Sequence, residues 1–548
     1  MRHSMFRVSA AACAAAMFMA ACGGGYDDPG PASYNGPAPA PTPVSVGDTV
    51  ALTASGKVIS FNRSTPGTMV GSVNVSGLSA SETLLGIDYR PADGLLYALG
   101  SAGNVYTIAP STGVAALKVA LKAAAGDDNP FAAIVGTDFA VDFNPVADRL
   151  RVVSNLGQNL RINVDTGDAI TDGLISLAAG SASVTAAGYS NAFFGTTATQ
   201  LLDIDAASGL LHLQDPPNNG TLAAGLALGV TAGQVNGFDI DALNNTGYAA
   251  LTVGAITNLY RVNIATGAAT SLGAIAGGET IRGLALQQPA APNVLGLTAS
   301  NQLVAFDPKA PNTITSTTAI TGLGAGETVI GIDTRPKDGA LYALTGAGKV
   351  YTVNPATGAA TLKVTLAADP MDASAPFSAL SGTAFSVDFN PTADRMRVIS
   401  DNGQNLRINV DSGATFTDAV INRTGTAPMV LASAYTNSFD GAASTMLFNL
   451  DAASDVLTLQ APPNDGTLAN VGTLGLDISG MAGFDIAGGA NGLALAALRS
   501  GVSGPFTLYS VSLTTGAATL YRNTSGNAAL SQIGGANGPA LLDIAIRF

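Results

Sequence analysis

VDFNPVADRLRVVSNLGQNLRINVDTG (141–167) returns 246 residues later as VDFNPTADRMRVISDNGQNLRINVDSG (387–413), with 21 of 27 positions identical. Each copy alternates apolar and polar residues, breaks at Asn-Pro, alternates again, and breaks at an Asn- or Asp-containing Gly turn. That is the period-2 pattern of half-buried antiparallel strands joined by tight turns. The duplication extends in both directions. LLGIDYRPADGLLYAL (84–99) returns as VIGIDTRPKDGALYAL (329–344), and GFDI (237–240) returns at 483–486. One long repeat covers 49–287 and a second covers 293–548, with a linker at 288–292.

A shorter period lies inside each copy. VYTIAPSTGVAA (105–116), LYRVNIATGAAT (259–270), VYTVNPATGAAT (350–361) and LYSVSLTTGAAT (508–519) all run from an alternating strand through a Thr-Gly turn into a strand of small residues. ETLLGIDYRP (82–91), ETIRGLALQQ (279–288) and ETVIGIDTRP (327–336) place Glu82, Glu279 and Glu327 just before buried strands, which suggests loop hydrogen bonds. Each long repeat holds about five strand–turn–strand units of roughly 45–50 residues, the period of β-propeller blades. The fold expected is all-β, a tandem β-propeller. IRGLALQ (281–287) and LLDIAIRF (541–548) can each complete a blade within their own repeat or beyond it. The choice is between two five-bladed rings and one ten-bladed ring. Two rings are preferred, because propellers usually have about four to eight blades.

The first 22 residues, MRHSMFRVSAAACAAAMFMAAC, carry Arg2 and Arg7 ahead of a short apolar run. The run is too short to span a bilayer, which takes about 20 residues, and fits a secretory signal peptide. Met19-Ala20-Ala21-Cys22 resembles a bacterial lipobox, which implies a lipid on Cys22. Residues 23–48 are Gly- and Pro-rich and read as a tether. Gly23, not Asp, follows the Cys. The expected location is therefore the bacterial cell envelope, anchored by the N-terminal lipid to the outer membrane.

Composition narrows the chemistry. The net charge of −14 argues against nucleic acid as a partner. The only Cys are Cys13 and Cys22, and the only His are His3 and His212, so disulfide frameworks and His-rich zinc sites are excluded. His212 stands where the second repeat has Thr458, which speaks for a strand residue rather than a triad base. Asp203/Asp205 and Asp239/Asp241 read as polar strand faces, lacking the glycine-bearing loop of a calcium site.

The combination GIDxRPxDGxLYAL, VDFNPxADRxRV and GQNLRINxDxG resembles the secreted bacterial family called domain of unknown function 4394, over nearly the whole chain after the tether. The resemblance implies an extracytoplasmic propeller-like module and supplies no catalytic residues.

The densest polar set is Asp142, Asn144, Arg149, Arg151, Asn159 and Arg161, with Asp388, Asn390, Arg395, Arg397, Asn405 and Arg407 in the second repeat. Arginine forks match carboxylates, so an Asp142–Arg151 pair is expected to bridge strands, and the same forks suit an anionic or sugar ligand at the ring mouth. No residue is singled out as catalytic or metal-ligating, and no cofactor is expected. The favoured reading is a surface-anchored binding or scaffold module for a glycan, peptide or envelope protein. Its rival is a metal-assisted hydrolase or lactonase with carboxylate and Asn ligands in the axial channel. Three or more such side chains converging on the axis favour the rival; an axis of Ala, Val and Thr sinks it.

Overall fold

The computed structural model describes residues 41–287, 292–487, 492–501, 503–521 and 527–548. The signal segment 1–22, the tether up to residue 40 and linker residues 288–291 lie outside the described residues. The strands form ten sheets of four or five strands, antiparallel except for a two-residue parallel edge strand in two of them. Apart from short 3-10 turns, no helix occurs among the described residues, and none is long and apolar enough to cross a membrane.

The closing strands settle the number of rings. Ile281–Leu286 pairs with Thr49–Thr53, and Leu541–Arg547 pairs with Asn293–Thr298. Each repeat thus completes its first blade with its own last strand, giving two five-bladed propellers and no ten-bladed ring. A closure of this kind ties the chain ends of a ring together and leaves no inner edge unpaired.

In the first ring the inner strands are Ile281–Leu286 (blade one), Leu84–Tyr89 (two), Phe139–Asn144 (three), Val184–Tyr189 (four) and Asn236–Ile240 (five). They pack side by side around an axis. In the second ring the same places are taken by Leu541–Arg547, Val329–Thr334, Phe385–Asn390, Val430–Tyr435 and Gly483–Ala487.

Each junction between blades holds its own apolar cluster. In the first ring, Leu99 and Tyr97 of blade two meet Phe143 and Val152 of blade three, with Tyr97 edge-on to Phe143 at 5.2 Å. Tyr342 and Phe389 repeat the contact in the second ring at 5.2 Å. Burial of such side chains contributes roughly 1.5–3 kcal/mol each, and the radial arrangement explains a 47% hydrophobic composition without a membrane span. Close approach at the axis needs small residues: a Cβ on Gly86 would lie 2.5 Å from Val141 Cγ2, and Gly331 meets Val387 in the same way. The outermost strands, such as Ala360–Thr365, are mostly exposed.

Both rings belong to one unit, Pro43–Phe548. The loop after the fourth inner strand of the first ring buries Ala192 and Phe193 in a cluster with Phe306, Leu493, Phe506 and Leu541 of the second. Phe193 stands edge-on to Phe548 at 5.1 Å. Thr197 N–H donates to Gly492 O at 2.9 Å, and Tyr521 OH donates to Gly195 O at 3.1 Å.

Candidate functional site

Aspartates from three inner strands meet at each axis. In the first ring these are Asp88, Asp142 and Asp239; in the second, Asp333, Asp388 and Asp485, with the buried Asp543 of a fourth inner strand close by and accepting from Ile332 N at 3.1 Å. All six trio members are buried, and within each trio one oxygen per residue lies within 4.8 Å of the others. Each carboxylate reaches across to the next inner strand. Asp88 accepts from Phe143 N at 2.7 Å, Asp142 from Tyr189 N at 3.0 Å and Asp239 from Leu286 N at 2.6 Å. Asp333, Asp388 and Asp485 do the same with Phe389 N, Tyr435 N and Ile546 N at 2.7, 3.0 and 2.6 Å. Neighbouring inner strands share no ladder, so these bonds satisfy buried N–H groups that would otherwise have no partner.

Burial pushes every one of these carboxyls up. Asp239 reaches about 7 and Asp485 about 6. Asp88, Asp142, Asp333 and Asp388 stand well above the usual carboxylate range, through burial first and then the neighbouring carboxylates. Carboxyls this close share protons rather than all ionise. Hard oxygen ligands at this spacing suit a divalent cation in principle. In the first trio, however, five of the six oxygens already accept a backbone N–H. Along the first axis, Gly86, Ala140, Ala186, Gly237 and Gly283, with Asn236 and Arg282 among their neighbours, leave space of only about 10 Å³. The arrangement works as a set of staples between blades. Asp239 was expected on a polar strand face; it is buried at the axis instead.

The polar set read from the sequence therefore separates. Asp142 and Asp388 go to the axes. Asn144 and Asn390 close turns, each Oδ1 accepting two backbone N–H groups. Arg149 and Arg395 donate to the carbonyls of the same turns. Asp142 and Arg151 are indeed cross-strand neighbours, but they form no ion pair. Arg151 turns outward to Asp172 at 2.7 Å, Asn159 Oδ1 at 2.8 Å and Asn218 Oδ1 at 2.8 Å. The Asp142 carboxyl is spent on Tyr189 N, and Asp172 is the better partner because it also holds Arg161 through two bonds of 2.6 and 2.9 Å. Asn159 Nδ2 fixes the Gly173 and Pro217 carbonyls. The second ring repeats this with Arg397, Asn405, Arg407, Asp418 and Asn464.

Sequence reading missed a clamp between blades two and three. The buried Arg90 binds both oxygens of Asp148 at 2.8 and 2.6 Å and those of Asp165 at 3.2 and 2.7 Å; Arg335 does the same with Asp394 and Asp411. The signal was present: the Arg-Pro, Ala-Asp-Arg and Asp-x-Gly segments recur together in both repeats. The three glutamates take loop hydrogen bonds: Glu82 from Asn104 and Tyr106, Glu279 from Lys57, and Glu327 from Lys349 and Tyr351. His212 is a buried strand residue whose Nδ1 lies 2.8 Å from Ala223 O.

An opening lies at the axis of the second ring. A cavity of about 350 Å³ lies where its inner strands end. Asp333 and Asp485 reach its lining from the trio, with Thr334 and Arg547 beside them. Phe439 and Asp440 come from the loop after the fourth inner strand, Phe548 from the chain end, and Leu243 and Asn244 from the first ring. Aromatic faces, a guanidinium and carboxylates around one opening suit a small polar ligand.

A search of curated proteins finds no match for the chain. Solved structures of similar shape include a protein from Lactobacillus plantarum (15% identity, TM-score 0.26, covering 65% of this chain and 98% of that one). The Dos1 propeller matches with 13% identity and TM-score 0.24, over 66% and 92% of the two chains. A chain of a nidogen/laminin complex matches with 12% identity and TM-score 0.28, over 47% and 99%. Overlays this loose carry no argument, and the ring architecture rests on the strand pairing. The family described as Domain of unknown function (DUF4394) matches residues 57–285 and 302–534, one span per ring. With both rings matched in this way, the chain belongs to the DUF4394 family and carries two copies of its domain.

Proposed function

We propose that this protein is a lipid-anchored binding module of the bacterial envelope, with Cys22 as the anchor, residues 23–48 as the tether and the outer membrane as the site of attachment. The second ring is the part that binds, and its ligand is a small polar group such as a glycan unit or a peptide end. The observation that carries this reading is the 350 Å³ cavity at the second axis, with Phe439, Phe548, Asp440 and Arg547 on its walls. A preformed cleft of this size loses little on ordering when it takes a ligand.

The hydrolase reading draws on the carboxylate trios. Against it, those carboxylates are buried and already bonded to backbone N–H groups of the next blade. Burial also raises these carboxyls, including Asp333 and Asp485 at the mouth, toward the neutral acid, which is a poor general base.

Glycan and peptide arrays probed with the purified protein test the proposal, followed by titration calorimetry on hits. Phe439→Ala and Arg547→Ala each weaken binding of a hit about tenfold or more. Arrays without a hit, or hits indifferent to both substitutions, overturn it. The anchor is tested separately by metabolic lipid labelling, which Cys22→Ser abolishes; a labelled Cys22→Ser product contradicts the anchor.

A further inference from the structure

Arg395, Arg397 and Arg407 line a second cavity, of about 210 Å³, between blades three and four of the second ring. Their charges are not balanced. Asp418 faces both Arg397, at 2.5 Å, and Arg407, at 2.7 Å. Asp394, the neighbour of Arg395 in sequence, turns its carboxylate away to Arg335 and Lys337 and offers Arg395 only its carbonyl. Three guanidinium groups therefore meet one carboxylate, a local excess of two positive charges in a chain of net charge −14.

The donors are also unevenly used. Arg397 is buried and spends its forks on Asp418, Asn405, Tyr435 and Asn464. Among the described residues, Arg407 bonds only through Nε and Arg395 only through one terminal nitrogen. The remaining N–H groups of both are left for a ligand. Arg407 is held in place by Phe416, whose ring centre lies 4.6 Å from its guanidinium carbon. Two partly buried forks on a preset scaffold match the geometry of an oxyanion.

We propose that this cavity is an oxyanion site, which takes a carboxylate, sulfate or phosphate group, and that it is stronger in the second ring than in the first. The first ring carries the same three arginines, as Arg149, Arg151 and Arg161, but its outer strand begins with Asp168 where the second has Ala414. The Asp168 carboxyl is held below its usual range, first by Thr166 and further by the charges of Lys122 and Arg149. Asp168 is in turn paired with Lys122 at 3.5 Å, and the second ring has Ala367 in the place of that lysine, so the rings differ less in charge than in free donors: Arg161 spends Nε and a terminal nitrogen on Asp172, whereas Arg407 spends only Nε on Asp418. Ile170 also replaces Phe416, so the stacking support for Arg161 is missing. The site is separate from the mouth cavity, and either proposal stands if the other fails.

Calorimetric titration of the purified protein at constant ionic strength, with sodium sulfate, sodium phosphate and an oligogalacturonate as probes, tests this inference. At least one probe binds saturably. Binding of the inorganic ions identifies a free-ion site, and binding of the oligogalacturonate alone identifies an acidic glycan. Arg407→Gln weakens binding about tenfold or more, and Arg407→Lys recovers only part of it. Ala414→Asp, at a partly exposed position, also weakens it, whereas Arg161→Gln in the first ring has little effect. Absence of saturable binding with all three probes overturns the inference. So does an affinity unchanged in both Arg407→Gln and Ala414→Asp.

Discussion

The two rings share a frame and differ at the loop that follows their fourth inner strand. Asn191-Ala192-Phe193-Phe194 in the first ring corresponds to Asn437-Ser438-Phe439-Asp440 in the second. In the first, Phe193 is 1% exposed and sits in an apolar cluster with the second ring. In the second, Phe439 is half-buried and lines the mouth cavity. One copy of the loop has become a joint, and the other is left on an open mouth. The aspartate staples of three blades and the arginine clamps, by contrast, recur in both rings, and the second ring adds one staple, Asp543 to Ile332 N at 3.1 Å, where the first has Gly283. Duplication kept what holds blades together and varied what faces outward.

The largest expected effect comes from breaking the joint. Phe193→Ala costs about 3–5 kcal/mol, the loss for a fully buried Phe, and lowers the melting temperature in calorimetry. Phe439→Ala costs within about 0.5 kcal/mol, as a surface change does. Equal losses would erase the distinction between the loops. Next come the clamps. Arg90→Ala and Arg335→Ala each cost about 2–4 kcal/mol, below the full loss for a buried pair because the partner aspartates are partly solvated. The two values agree if the clamp does the same work in both rings.

A smaller effect separates Asp203 from its counterpart Asn449. Asp203 is buried with no hydrogen-bond partner for either oxygen, and Gln214 Oε1 beside it is also unpaired; Asn449 Nδ2 instead donates to Gln460 Oε1 at 3.2 Å. Burial pushes the Asp203 carboxyl up to about 8, against about 3.9 in an unfolded chain. The neutral acid is therefore the folded form. Its contribution is whole below about pH 4 and is lost as pH rises through about 8. Asp203→Asn should stabilise the protein by about 1–3 kcal/mol at pH 9 and by less at pH 5, read from melting curves. A gain independent of pH would mean that Asp203 is already ionised in the fold. Smallest of all is the effect of chelation. EDTA treatment leaves the melting temperature unchanged and elemental analysis finds no stoichiometric divalent metal, because the axial oxygens serve backbone N–H groups; one metal per ring would assign the trios to a cation instead.

The fold was legible because its signals are local. Alternation, Thr-Gly turns and the 246-residue duplication each lie in contiguous sequence. Ring closure was not, because Ile281–Leu286 fits the first strand of either repeat by pattern, and only register with Thr49–Thr53 decides. The arginine set stood out through repetition, but its partners did not. Asp142, Asp148, Asp165, Asp168 and Asp172 all lie near Arg151 in sequence, and packing alone selects Asp172. The axial trios were half visible: GID, VDF and GFD recur on the inner strands of blades two, three and five, yet their convergence depends on five blades closing. The mouth cavity was invisible, since Leu243, Thr334, Phe439 and Phe548 share no motif and meet only once both rings are built.

Hydrogen-exchange mass spectrometry, with and without a ligand recovered from the arrays, tests most directly whether the second ring is the binding ring. Protection is expected at residues 333–339, 438–440 and 546–548, with no change at 88–94, 192–194 and 284–287 of the first ring. Protection confined to the first ring, or absent from the mouth of the second, would contradict the account.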